Sequence, residues 1–391
     1  MISFNNTEIA FKSKSDKDLK RAFRLFKIVG VPFLVKIGKP LTNFAISAKL
    51  PIQSIIKKTI FKQFCGGETI PECEEKINEL ADSGIGTILD YSVEGKIKEV
   101  DFDATTEEII EALDKGFNNP KIPFAVFKVS GICRFGLLER INDSTENLSE
   151  KEQIEYDRLH ARIERISSRA NDRKTPVFID AEESWIQTGI DRIAYKMMEK
   201  YNKEEAYIYN TIQIYRHDRL EHLKKETAIA KEKEYKLGIK LVRGAYMEKE
   251  RERAIDKNYP SPIQKDKPST DQDFNSALTW LIEHIDNVSF CAGSHNEESN
   301  LLLTQLMEQK GIKTNDKRIH FAQLLGMSDH ISYNLAHSHY NVAKYVPYGP
   351  VNEVLPYLLR RADENTSVAG QTSRELSLII QETKRRKAQS K

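Results

Sequence analysis

The sequence predicts an α/β protein built as a (β/α)8 TIM-like barrel, distorted in places, with an N-terminal helical arm. Three observations carry that expectation. From residue 85 onward, short apolar runs alternate with longer amphipathic stretches, the pattern of βα units on a parallel sheet. The runs number eight, and eight strands with their helices in about 290 residues fit a closed barrel better than an open doubly wound sheet. Hydrophobic residues make up 39% of the 391 and charged ones 30%, so the chain can bury a sizeable core and is not disordered by composition.

Taken in order, the strands are expected at 86–90 (GTILD), 123–129 (PFAVFKV), 176–180 (PVFID), 206–214 (AYIYNTIQI), 238–243 (GIKLVR), 288–293 (VSFCAG), 318–322 (RIHFA) and 342–346 (VAKYV). Helical periodicity fills the intervals at 104–116, 149–171, 184–201, 216–235, 273–286, 297–310, about 328–336, and 351–363. Two connections are long: 141–153, rich in Asn, Ser and Glu, and 256–270, which carries Pro260, Pro262 and Pro268. The second follows a strand's C-terminal end, where lids over active sites occur. Three regions result: a basic helical arm (1–70), the barrel (71–375) and a basic tail (376–391), whose last residues, Lys384 to Lys391, are expected to fray.

The formal charge of +2 hides an asymmetry, because residues 1–64 hold 13 Lys/Arg against 3 Asp/Glu and the remainder 47 against 55. The longest apolar stretch, Ile28 to Ile37, is interrupted by Lys36 and is about ten residues long, short of the roughly 20 that a bilayer crossing needs. No secretory pattern opens the chain. The basic stretch from Lys17 to Lys62 either lies on an anionic lipid surface or packs on the body as an arm. Cys65, Cys73, Cys133 and Cys291 are irregularly spaced with no C-x-x-C, so neither a disulfide framework nor a zinc site is expected, and a reducing compartment is. The cytoplasm, with peripheral contact to the membrane's inner face, is the expected location.

In such a barrel the loops after the strands' C-terminal ends form the active-site rim. The polar residues there are Asp90, Lys128, Asp180, Gln213, Arg243 with Tyr246, His295, Gln323 and Tyr345. Lys128 ends an otherwise apolar strand, so its ammonium needs a carboxylate or a functional reason. Asp180 on the next strand could pair with it; a Schiff-base lysine of the aldolase kind is the alternative. Arg360 and Arg361, followed one turn on by Glu364, suit a bidentate grip on a carboxylate if that helix passes over the barrel mouth. Gly84-Ile-Gly86 precedes a strand and lacks the third glycine of a dinucleotide fingerprint, and there is no P-loop. His337 and His339 have no third metal ligand in sequence. The N-terminal basic residues lack the interleaved aromatics of a nucleic-acid platform, so no nucleic-acid partner is expected.

Longer motifs go further. Lys240-Leu-Val-Arg-Gly-Ala-Tyr246, Phe321-Ala-Gln-Leu-Leu-Gly-Met327, and the run from Tyr345-Val-Pro-Tyr-Gly-Pro350 to Arg360-Arg-Ala-Asp-Glu364-Asn365 resemble the proline dehydrogenases, most closely the stand-alone mitochondrial type. Phe178-Ile-Asp-Ala-Glu182 and Gly293-Ser-His-Asn296 add to the resemblance, which covers roughly residues 85–370. It implies a barrel with FAD at the strand C-termini, oxidising L-proline by hydride transfer from C5 to flavin N5 and passing electrons to a membrane quinone. By the same resemblance, Arg360 and Arg361 hold the substrate carboxylate, Lys128 lies close to substrate and flavin, and Tyr345 packs on the pyrrolidine ring. Tyr246 and Glu364 help to close the pocket, and Asp180 supports the site. Ala181, Gln213, Lys240, Val242, Arg243, Gly244, Ala245, Ser294 and His295 match cofactor contacts, with no metal. Many bacterial members carry Arg first and Lys second where this chain reads Lys240-Leu-Val-Arg243, which leaves open which of the two approaches N5. The chain has no room after the barrel for the fused aldehyde dehydrogenase of bifunctional bacterial proteins, so a separate pyrroline-5-carboxylate dehydrogenase is expected downstream. Hydroxyproline dehydrogenase is the rival within the family; Tyr345 favours proline because its phenol would crowd a ring hydroxyl.

Overall fold

All eight apolar runs are strands in the computed structural model, which describes residues 2–29, 53–93, 96–367 and 371–389. They are β1 (Ile85–Tyr91), β2 (Phe124–Lys128), β3 (Val177–Asp180), β4 (Ile208–Gln213), β5 (Leu237–Val242), β6 (Val288–Gly293), β7 (Ile319–Leu324) and β8 (Val342–Tyr348). Each pairs in parallel with the next, and β8 closes on β1. The expected (β/α)8 barrel is the fold.

Strand alternation sorts the apolar residues into two cores. Leu89, Ala125, Phe127, Ile179, Ile212 and Leu241 point outward and pack under the ring of helices. Ile88, Phe124, Val126, Phe178, Tyr209, Cys291, Ala322, Ala343 and Tyr345 point inward and fill the barrel. Phe124 and Phe178 stack with centroids 4.3 Å apart, and Tyr209 meets both edge-on at 5.5 and 5.4 Å. This aromatic plug makes an apolar floor below the polar strand ends. All four cysteines are buried and unpaired.

Most helices lie where periodicity puts them, and the exceptions have local causes. The helix expected from 104 starts at Glu99, with Glu99 and Asp101 in its first turn, where acidic side chains complement the helix dipole. Pro268 belongs not to a loop but to the first turn of the helix Lys267–Glu283, capped by Asp266, whose Oδ1 accepts from Ser269 N at 2.8 Å. Proline is harmless there because the first-turn N–H has no intrahelical acceptor. The 141–153 connection is mostly helical too: Phe135–Asp143 runs into it, and Glu150–Arg173 starts on a capping box between Ser149 and Glu152.

The termini meet. The helix Asp16–Val29 buries Leu19 and Phe26 against Leu378 and Ile379 of the helix Gln371–Gln389. Arg386 donates to the Phe11 and Lys14 carbonyls at 2.9 and 2.8 Å. The tail expected to fray is therefore helical to Gln389, because its apolar face has a partner and its basic end is tied to backbone carbonyls. Helical turns over 53–64 pack Phe61 and Phe64 against Val354, Leu355 and Leu358. Most of the apolar stretch from Ile28 to Ile37, and the basic stretch as far as residue 52, lie outside the described residues. Among those described, no helix is long and apolar enough to cross a membrane.

Candidate active site

Above the aromatic floor, three residues from three strands form a triangle. Lys240 of β5 ion-pairs with Asp180 at the end of β3 and donates to Tyr345 Oη of β8 at 2.5 Å. The Tyr345 hydroxyl donates in turn to Asp180 Oδ1 at 3.2 Å. The Lys240 ammonium also sits 4.8 Å from the Tyr345 ring centroid and 5.5 Å from that of Phe178. A charge removed from water persists only when paired and hydrogen-bonded, and both conditions are met. Burial, followed by the charges of Asp180 and Asp90, pushes the Tyr345 phenol well above its ordinary range, so it is a neutral donor. The sequence left Asp180 as a partner for Lys128; the lysine that pairs with it here is Lys240.

Lys128 ends β2 in register with Asp180. It lies close enough to Asp90, Glu182 and Tyr246 for its charge to act on all three. Asp90 accepts from Ser92 Oγ at 2.6 Å, and burial raises its pKa against the pull of Lys128. Glu182 accepts from Ser130 N at 2.9 Å and from Ser130 Oγ, yet burial pushes it up to about 7. It thereby ties the loop after β2 to the loop after β3. Burial raises the Tyr246 phenol, opposed by the charges of Lys128 and Arg360.

A second cluster follows β5 and β6. Arg243 donates to Asp271 at 2.8 Å, to Ser294 Oγ at 2.9 Å and to Ser299 Oγ at 2.9 Å, its guanidinium lying 4.2 Å from the Phe274 ring centroid. Gly244 has φ of +139°, and a Cβ there would collide with the Tyr215 ring, so only glycine fits. Gln213, 4% exposed and in register with Val242, has an Oε1 with no hydrogen-bond partner. Ala181 and Ser294 are buried, and Ala245 lies between β5 and the helix Met247–Asp256. His295 gives Nδ1 to Ser328 Oγ at 2.9 Å, while Leu324 N donates to Nε2 at 3.5 Å. Burial, then the charges of Lys344 and Arg361, holds its pKa down at about 3, so the ring is neutral.

The helix after β8, Leu355–Ser367, carries both arginines. The charge of Arg360 is felt at Tyr246 after β5, and that of Arg361 at His295 after β6. Adjacent positions diverge by about 100°, yet both reach groups beyond strands other than β8. Arg361 is buried, 4.9 Å from the Tyr357 ring centroid. Glu364 is in the same helix, but its side chain lies outside the described residues.

Residues 73–374 match the sequence profile of the proline dehydrogenase family. The chain belongs to that family. It is 34% identical to the mitochondrial proline dehydrogenase 1 of Dictyostelium discoideum, over 97% of this chain and 74% of that protein. It is 29% identical to the hydroxyproline dehydrogenase of Xenopus laevis, over 98% and 90%. Among solved structures, proline utilization A from Bdellovibrio bacteriovorus superposes with a TM-score of 0.72 over 92% of this chain at 19% identity, which speaks to the fold. The chain spans 38% of that longer protein.

With the family known, the residues that sequence reading passed over stand out. Glu182 was visible only as the last letter of a motif, two positions beyond Asp180. Asp271 and Ser299, which fix Arg243, are 28 and 56 residues from it, and nothing local marks them.

Proposed function

We propose that the protein oxidises L-proline to 1-pyrroline-5-carboxylate with FAD held at the strand C-termini, its electrons passing to a membrane quinone. The observation that carries this reading, in a chain of this family, is the buried triangle of Lys240, Asp180 and Tyr345. It presents an ion-paired lysine and a hydrogen-bonded aromatic ring above an apolar floor, a rigid surface on which a small ring can be positioned as hydride donor. Removing a hydride from C5 and a proton from nitrogen makes the C=N bond of the product. A C5 hydrogen is not acidic, so placement does the work and no nucleophile is needed.

The residues present fit FAD. The unpartnered buried Oε1 of Gln213 awaits a donor such as a ring N–H or a hydroxyl, and the glycine at 244 lets backbone come close to a ligand. Gln213, Lys240, Val242, Arg243, Gly244, Ala245, Ser294, His295 and Ala181 would hold it, and bound FAD would supply the hydride acceptor. Arg360 and Arg361, with Glu364, would take the substrate carboxylate, and Tyr246 would close the pocket beside Lys128. The Tyr345 hydroxyl is bonded to both Lys240 and Asp180, so it cannot swing aside for a ring hydroxyl, which favours proline over hydroxyproline. A quinone acceptor gives the basic arm a reason to touch the inner face of a membrane, and a separate dehydrogenase would take the product towards glutamate.

Purified protein should be yellow and lose its absorbance near roughly 450 nm when L-proline is added without oxygen, as an oxidised flavin does on accepting a hydride. Colourless protein that fails to bind added FAD sinks the proposal. Comparison of kcat/KM for proline and hydroxyproline decides between the substrates, and borohydride trapping of an adduct on Lys128 would revive the aldolase.

A further inference from the structure

Ser328 has φ of +50°, a left-handed conformation that costs a non-glycine residue energy and persists only where its surroundings impose it. The peptide unit joining Met327 to Ser328 is held from both sides. Its carbonyl accepts from Lys344 Nζ of β8 at 2.5 Å, and its N–H donates to Glu375 Oε1 of the helix Gln371–Gln389 at 2.5 Å. Lys344 and Glu375 are 0% and 4% exposed. Ser328 Oγ is the atom that meets His295 Nδ1. Leu324 N–H faces Nε2 at 3.5 Å, a long contact that fits a lone pair there, and the shorter contact to Ser328 Oγ at 2.9 Å is what holds the proton on Nδ1.

The same helix reaches His295 by a second route. Arg374, next to Glu375, forks onto Glu297 with Nε to Oε1 at 2.7 Å and Nη2 to Oε2 at 3.2 Å. Glu297 opens the helix Glu297–Gln309, two residues after His295. His330 Nε2 contacts the same Oε1 at 3.0 Å. One prong sets the backbone that leads away from His295 and the other sets the partner of its ring. The family match runs from residue 73 to Arg374, the residue before Glu375.

We infer that Glu375 is a positioning residue of the cofactor site: by clamping the Ser328 peptide it fixes His295 in its Nδ1-protonated form and orientation. The C-terminal helix thus belongs to the support of the site. The inference rests on the flavin reading only for what His295 faces; the tautomer is a property of the protein alone.

Histidine-selective ¹⁵N labelling of the full chain without flavin, with His295 assigned by its substitution, reports which ring nitrogen carries the proton. The wild type should show protonated Nδ1, as should Glu375→Gln, which keeps an oxygen for the Ser328 N–H. Glu375→Ala and Ser328→Ala should show tautomer exchange, and each should raise the Kd for FAD, measured by fluorescence titration, about tenfold, as loss of one buried hydrogen bond does. Ser328→Ala removes the ring contact and leaves the C-terminal helix docked, so it stands if Glu375→Ala unfolds. A wild-type tautomer and wild-type FAD affinity in Ser328→Ala, or equal losses in Glu375→Gln and Glu375→Ala, overturn the inference. A protein that binds no FAD yet shows the tautomer pattern would refute the flavin reading and leave the positioning role intact.

Discussion

At the scale of single residues, the site is governed by what burial does to charge. Lys240→Met leaves the Asp180 carboxylate without its counterion on an apolar floor. The expected cost is about 3 kcal/mol, seen as a lower denaturant midpoint, and Lys240→Met with Asp180→Leu should recover most of it, since replacing both members of a buried pair is close to neutral. Glu182 gives the pH signature. Its carboxyl is pushed from 4.5 up to about 7, so the folded state binds its proton more tightly than the unfolded state does. That contribution to stability is complete below pH 4.5 and is lost as pH rises through about 7. Glu182→Gln should flatten the stability profile over that window, and an unchanged slope in chemical denaturation between pH 4.5 and 7 would count against it. The polar residues at the strand ends were legible in sequence, but their partners were not, and Glu182, Asp271 and Ser299 were passed over. Lys240 and Tyr345 are 105 positions apart, and only barrel closure brings them together.

Elements show the reverse balance, because their causes are local. Eight strands were readable since both faces of each are covered and each is rich in apolar residues, with few polar breaks such as Lys240 and Lys344. Boundaries slipped where a cap or a proline decided the matter, as at Asp266 and Pro268. Ser149→Ala should cost about 1 kcal/mol by removing the capping box while leaving FAD binding unchanged. Gly244→Ala should do the opposite in kind. It forces a Cβ into the Tyr215 ring at a φ that alanine avoids, and the expected result is protein purified with little or no flavin, read from its absorbance spectrum.

For the whole molecule, the uneven charge is only part of the account of the arm. Its first long helix spends its apolar face on the C-terminal helix through Leu19, Phe26, Leu378 and Ile379, so over those residues the basic face is what remains for a surface. Arg386 bonds to both Lys14 O and Asp16 Oδ1, so Arg386→Ala should loosen the two termini together and raise amide exchange in both helices. FAD at a hundred times its Kd should add about 2.7 kcal/mol to global stability by linkage, measured as a shift in the denaturant midpoint. What the sequence by itself determined is the eight-stranded barrel, the family and the residue types at the strand ends, because periodicity and motifs are properties of neighbours along the chain. Only the tertiary structure decided that Asp180 belongs to Lys240, that Glu182 ties two loops, and that the last helix reaches His295. Those pairings depend on which side chains meet after the barrel closes and the termini dock, and no local pattern encodes them.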